Sequence, residues 1–354
     1  LTSSIGNSLT RAQEEIAPQI QIPLFGPCAE ATLAGFVAPQ CAGPARGTFW
    51  THYDALRYAD LFSGIGGFHQ AAASLGMECV LACDIDAEAR KAYRANYGLE
   101  PHHDIRSLDN AEVPDLEILL GGFPCQPFSI IGNQEGFADA RGTLFFEIAR
   151  IIKAKQPRAF LLENVRQLAS HNHGETLKHI LRILREDLGY TVETKVLNAL
   201  HFGLPQKRER ILIVGFKGKV TDFTWPSEKI PMPPLSEILE TNVDKRHYVS
   251  ERIKLARESA HTPKFKPAIW HENKAGNVSS HPFSCALRAG ASHNYLLVDG
   301  ERRLTSKEML RLQGFPESFK IVCNDGQTRK QVGNAVPVPM VRAVLEKMLL
   351  VECA

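Results

Sequence analysis

The chain has 354 residues, 44% of them apolar, and a formal charge of only +2 at neutral pH. That length holds one large domain or two ordinary ones around a true core. No run approaches the roughly 18 apolar residues that span a bilayer, and so small a charge does not by itself announce a nucleic-acid binder. The first residues are polar and mixed, without a secretory signal, and Leu1 in place of Met reads as a trimmed or altered start. The eight cysteines include no C-x-x-C pair and no zinc-ligand spacing, which suits reduced thiols in a cytoplasm.

Residues 1–55 are weakly patterned and read as an N-terminal arm with a short helix at 11–16. From residue 58 the pattern changes to strands alternating with helices. A strand at 58–62 runs into the glycine turn 63–67 and a helix to about 75. A second strand, 78–83, precedes Asp86, which is placed to cap a helix through 97. Strand 116–120, helix 144–155, strand 159–163, helix 175–188 and strands 191–197 and 210–216 follow. This alternation predicts a mostly parallel sheet covered on both faces. From 223 to about 302 the rhythm stops, and Pro, His, Ser and Lys dominate, as in a separate, smaller domain. Within it, residues 245–274 hold eight Lys and Arg against three Glu. Thr305 and Glu308 form a capping-box pattern, and a last helix is expected after Pro337, to about 351.

Four pieces carry chemistry. Gly64, Gly66 and Gly67 let the backbone pass close to a ligand at a helix N-terminus, and Asp84 ends the next strand, where an acid accepts ribose hydroxyls. The third glycine of the dinucleotide pattern is not at its usual spacing, which disfavours NAD. A ligand with adenosine but no pyrophosphate fits better, and S-adenosylmethionine is the common one. Phe62 is the candidate to stack on its adenine, and Asp104 either bonds the adenine amino group or caps a helix. Cys125, held between Pro124 and Pro127 at the mouth of a predicted strand, is poorly placed for a core and well placed for attack. A free thiol is about 3% thiolate at pH 7, and nearby cations or helix N-termini raise that fraction. Glu163 closes a strand expected beside the one before Cys125, so both open into one crevice. A thiolate and an acid there suit addition to an electron-poor ring, with the acid on the ring nitrogen. Arg210 is expected to point at a carbonyl oxygen of the substrate, while Arg208 touches a phosphate or braces the loop.

Read together, these segments resemble the bacterial DNA (cytosine-5)-methyltransferases of restriction-modification systems. The matching text is 60–68 (DLFSGIGGF), 122–129 (GFPCQPFS), 141–146 (RGTLFF), 163–165 (ENV), 206–210 (QKRER), 311–316 (RLQGFP) and 331–336 (QVGNAV), in the family's order. The resemblance implies an α/β, Rossmann-like methyltransferase domain with a mixed, mostly parallel sheet, over 56–222 and completed by 330–354. It implies a smaller, irregular target-recognition domain over 223–329. The implied reaction moves a methyl group from S-adenosylmethionine to carbon 5 of a cytosine flipped out of duplex DNA, through a covalent adduct to Cys125. Glu163 and Arg210 hold the base in this scheme. Asp60, Ser63, Ile85, Ile105, Gly122, Pro124, Leu144, Asn334 and Ala335 then join Phe62, Gly64, Gly66, Gly67, Asp84 and Asp104 around the cofactor. Gln126, Ser129, Ile131 and Arg141, on the loop that closes over DNA, become DNA contacts, and Arg288 is the candidate for a guanine.

The sequence departs from the family where Asp84 replaces a common Glu, Ile85 an aromatic and Ile131 a small polar residue. A tRNA methyltransferase on the same scaffold would carry a Cys-Phe-Thr signature, which is absent. A catalytically inactive DNA-binding homologue would have lost Cys125 or Glu163, and both are present. A monomer is expected, in a bacterial cytoplasm near the nucleoid, paired in function with a restriction endonuclease.

Overall fold

A computed structural model describes residues 56–124 and 144–351. The helix expected at 11–16 lies outside them. In chain order, β1 (Arg57–Leu61), α1 (Gly67–Ala73), β2 (Glu78–Cys83), α2 (Ala87–Tyr97) and β3 (Ile118–Gly122) come first. They are followed by α3 (Leu144–Lys155), β4 (Ala159–Val165), α4 (Glu175–Arg182), β5 (Tyr190–Asn198), β6 (Gln206–Lys207) and β7 (Glu209–Lys217). Then come α5 (Leu235–Ile238), α6 (Glu251–Ala260), β8 (Ile269–Glu272), β9 (Val278–His281), β10 (Ser284–Cys285), β11 (Leu296–Val298), α7 (Ser306–Gln313), α8 (Asp325–Asn334) and α9 (Val338–Leu349).

Six strands form one sheet in the order β2-β1-β3-β4-β7-β5. β1 pairs in parallel with both β2 and β3, and β3 with β4. β7 runs antiparallel to its two neighbours, β4 and β5, so it alone is reversed. The sheet is mixed and mostly parallel, as expected. Its strands are nearly continuous apolar runs because both faces are covered. Ile118, Leu120, Leu161, Leu212 and Val214 face one layer, which includes α1 and α9. Their alternates Leu119, Phe160, Leu162, Ile211 and Ile213 face the other, with Phe145, Ile148 and Ile152 of α3. Most of these strand residues are fully buried, and each such side chain contributes about 1.5–3 kcal/mol.

Local signals set the helix ends. Asp86 Oδ1 accepts the amides of Glu88 and Ala89, and α2 stops at Gly98 in a left-handed conformation. The capping box at Thr305 and Glu308 is present, and α7 also ends on a left-handed glycine, Gly314. The last helix begins at Val338, immediately after Pro337.

Three expectations needed correction. β3 lies two residues further along than the apolar run suggests and extends through Gly121 and Gly122, which pair with Leu162 and Glu163. Helix 175–188 stays α-helical only to Arg182. Residues Ile183–Asp187 form a π-turn, closed by the Leu188 amide on the Ile183 carbonyl. Ile180, Ile183, Leu184 and Leu188 are all buried by that arrangement. The region from 223 does hold regular structure, in pieces of two to four residues apart from α6. β8 pairs antiparallel with β9 and β11, and β10 pairs in parallel with β6. Ile269, Leu287, Tyr295, Leu296 and Met309 share one apolar cluster with Leu212 and Val214 of the main sheet.

Candidate active site

The chain leaves β1 for β2 on one side and later returns to β3 on the other. Such a reversal leaves a crevice beyond the carboxyl ends of the strands. A cavity of about 820 Å³ opens there.

One half of it is built on the turn after β1. Phe62 and Gly64 both have positive φ, 57° and 54°. Phe62, Ser63, Gly64 and Gly67 line the wall. Gly67 is small because α1 meets the segment before α9, where an added Cβ would stand 2.8 Å from Val336 Cγ2. Asp84 fastens the turn, accepting the Gly64 amide at 2.7 Å and the Asp86 amide at 2.8 Å. Burial is the main cause that raises its carboxyl above the usual range. Ser63 Oγ is buried without a hydrogen-bond partner among the described residues. Ile85 is 68% exposed, an uncovered apolar side chain on the cavity wall. An orphan hydroxyl, a carboxylate and a bare apolar face around a glycine turn fit a nucleoside-type ligand. Ile105, Gly122, Pro124, Leu144, Asn334 and Ala335 line the same space.

Three expected cofactor contacts stand differently. Asp60 is fully buried and does not reach the cavity. Its carboxyl sits beneath the turn, accepting a bond from Tyr93 Oη at 3.3 Å, and burial holds its pKa well above the carboxylate range. Gly66 supports the turn from outside the cavity wall. It has φ 83°, and a Cβ there would run into the Tyr97 ring, whose hydroxyl donates to the Ile65 and Gly66 carbonyls. Asp104 does line the cavity, but Arg106 already clasps it at 2.8 Å and lowers its pKa.

The clasp at Gly66 gives a direct expectation. Gly66→Ala forces an L side chain into left-handed backbone, at about 1–2 kcal/mol, and collides with Tyr97. We expect a thermal melting point lower by several degrees. An unchanged melt would mean that the turn is not held by Tyr97.

The other half of the cavity is polar and sits on β3, β4 and β7. The pairing of Gly122 with Glu163 sets that carboxyl beside the strand end that leads to Cys125. Arg210 Nε lies 2.6 Å from Glu163 Oε1, with both side chains largely buried. Glu163 lines the cavity. Arg208 is 1% exposed. Its guanidinium donates to the carbonyls of Leu287 (2.7 Å), Gly333 (3.0 Å) and Ala335 (2.7 Å). Burial, then the neighbouring Arg210, pushes its pKa down to about 9. Of the two roles expected for Arg208, the structure shows the brace. Gln206 works beside it, accepting the Leu287 amide at 3.0 Å and donating to the Leu312 carbonyl at 2.7 Å.

These pieces, in this order and around one crevice, match a known family. A model of the C-5 cytosine-specific DNA methylases covers residues 56–350. The chain belongs to that family.

Among the methylase's relatives, Type II methyltransferase M.NgoBI of Neisseria gonorrhoeae is 52% identical over 288 residues, 80% of this chain and 90% of that one. Type II methyltransferase M.HaeII of Haemophilus aegyptius is 50% identical over 293 residues, 82% and 92% of the two chains. Among solved structures, the S. pombe Dnmt2 methyltransferase superposes with a TM-score of 0.62 at 24% identity, over 83% of this chain and 98% of that one. That last likeness speaks for the fold. The methylase is an enzyme, a DNA (cytosine-5-)-methyltransferase. Among the described residues no helix is long and apolar enough to cross a membrane.

Cys125, Gln126, Ser129, Ile131 and Arg141 lie outside the described residues. Arg288 is on the cavity rim, with its guanidinium 4.8 Å from the Tyr295 ring centre. The structure adds residues that sequence reasoning passed over. Asn164 is buried and donates to the Phe123 carbonyl at 2.9 Å, two residues before Cys125. Its place in the 163–165 (ENV) segment, directly after Glu163, was the available signal. Lys330 reaches across to Asp86 at 2.7 Å and also lines the cavity. No local pattern marks it, because α2 and α8 are brought together only by the fold.

Proposed function

We propose that the methylase moves a methyl group from S-adenosylmethionine to carbon 5 of a cytosine extruded from a short specific duplex sequence, through a covalent adduct to Cys125. One observation carries this reading. The buried Glu163–Arg210 pair shares a cavity with the glycine turn, at the mouth of the strand that runs into Cys125. When bound, S-adenosylmethionine supplies a methyl group on a sulfonium, an electrophile that departs from a neutral thioether.

On the cofactor side, Asp84 accepts a ribose hydroxyl, while Phe62 and Ile85 cover the adenine. On the base side, Cys125 thiolate adds to carbon 6, forming a sulfur–carbon bond. The electron pair of the 5,6 double bond moves to carbon 5 as ring nitrogen 3 takes a proton from Glu163. Arg210 holds both that carboxyl group and the ring carbonyl oxygen. Carbon 5, held between Cys125 and the cofactor side of the cavity, would then accept the methyl group that S-adenosylmethionine supplies. Loss of the carbon-5 proton to water restores the double bond and expels the thiolate, and ring nitrogen 3 returns its proton to Glu163. Arg208 acts through the backbone that it braces, keeping 287 and 333–335 against β7.

Residues 56–222, completed by 330–354, form the catalytic domain in this reading, and 223–329 recognise the target. The basic run 245–274 serves phosphate neutralisation. Gln126, Ser129, Ile131 and Arg141 meet DNA as their loop closes. In this reading the methylase works beside a restriction endonuclease, in keeping with its likeness to Type II methyltransferases, and does so as a monomer in the cytoplasm where the chromosome is.

The test is a duplex with 5-fluorocytosine at the target. Fluorine cannot leave as a proton, so the adduct should persist and survive denaturation as a protein–DNA species of summed mass. Turnover of ordinary duplex with no trapped species would overturn covalent addition.

A further inference from the structure

We propose that a groove between Arg303 and Arg329, walled by Arg288, seats a backbone phosphate of the bound duplex. This site rests on the DNA reading above and adds a contact outside the base cavity. The groove has a volume of about 250 Å³ and shares Leu287 and Arg288 with that cavity.

Its charge is unbalanced. Arg246, Arg288, Arg303 and Arg329 line it against a single carboxylate, Asp325. That carboxylate is already engaged by Arg246 at 3.4 Å and by Ser306 Oγ at 2.9 Å. No described carboxylate forms an ion pair with Arg288, Arg303 or Arg329. Their partners are neutral. Arg288 lies over Tyr295, whose hydroxyl accepts the Arg288 amide at 2.9 Å. Arg303 Nε donates to Asn294 Oδ1 at 2.9 Å. Arg329 Nη1 donates to the Ala291 carbonyl at 2.9 Å. His293 registers the crowding, its pKa lowered first by Arg329, then by burial and Arg303.

These bonds hold the guanidiniums in place without cancelling their charge. Bracing the 288–294 loop would need donors only, and neutral amides would supply them without mutual repulsion. What three positioned forks lack is an anion, and a phosphodiester offers two oxygens to a fork. Duplex DNA, drawn to the neighbouring cavity, carries one such charge per ~1.7 Å of axis.

The experiment measures the affinity of the full chain for target and non-target duplexes between low and moderate salt. Arg303→Gln and Arg329→Gln should each flatten the slope of log affinity on log salt by about 0.9. They should weaken both duplexes by one common factor, with the turnover number at saturating duplex kept. Arg303→Lys and Arg329→Lys should restore the slope. An unchanged slope in the Gln variants, with a lower melting point, would leave only a brace and overturn the site. Weakening confined to the target duplex would overturn it in favour of base contact. If inorganic phosphate raises the melting point of the wild type while the DNA slopes stay unchanged, the groove belongs to a free anion and the proposal fails. A wild type that methylates no duplex at all would instead sink the DNA reading itself.

Discussion

Cys125→Ser should abolish methyl transfer while leaving the binding of S-adenosylmethionine within a few-fold of the wild type. A serine hydroxyl is not measurably ionised at neutral pH, whereas an ordinary thiol is already about 3% thiolate there. Covalent catalysis divides one hard step into two easier ones, and losing the nucleophile forfeits both. Losses of roughly 10⁴–10⁶ in turnover are the scale for such a change. Single-turnover methyl incorporation, run beside a cofactor titration, separates the two effects. Turnover within tenfold of the wild type would remove Cys125 from the chemistry. Loss of cofactor binding as well would mean that the residue supports the glycine-turn side of the cavity.

Glu163→Gln should lower the turnover number by about 10²–10⁴, the range for a positioned acid or base. It should change the KM for DNA less, because the amide keeps the shape and one hydrogen bond. A second consequence comes from Arg210, which lies 2.6 Å from Glu163 with only 13% of its side chain exposed. Removing one partner of a buried pair strands the other charge at a cost of about 3–5 kcal/mol, so the melting point should fall too. Glu163→Asp separates these effects. It keeps the charge beside Arg210 but withdraws the carboxyl by one methylene, so its melting point should stay nearer the wild type while turnover remains low. If Glu163→Asp and Glu163→Gln both turn over normally, the carboxyl group has no part in the reaction.

Much of the main sheet was legible because its strands are long apolar runs separated by amphipathic helices, and the adjacency of β3 and β4 followed from that order. The true end of β3 was not, because Gly121 and Gly122 carry no strand preference of their own and are held there by pairing with β4. The strands β8 to β11 escaped for another reason. They span two to four residues, too short for any period, and β10 finds its partner β6 some 80 positions away, as the Ser284–Gln206 pairing shows. The site was legible in outline, since Glu163 and Arg210 were both expected at the crevice and both line it. It was read poorly where position decides the task. Asp60 belongs to a motif that suggests contact with a ligand, yet β1 carries it one layer below the cavity. Asn164 and Lys330 owe their importance to what lies opposite them.

The grip of Arg208 falls wholly on main-chain oxygens, those of 287, 333 and 335. Gln206 adds the Leu287 amide to that grip. Main-chain atoms are common to every amino acid, so the clasp is indifferent to which side chains the gripped segment carries. The exposed positions 288 and 290 can therefore change, and in the proposed reading the DNA word with them, without loosening the clasp, while Leu287 stays fixed by its own burial.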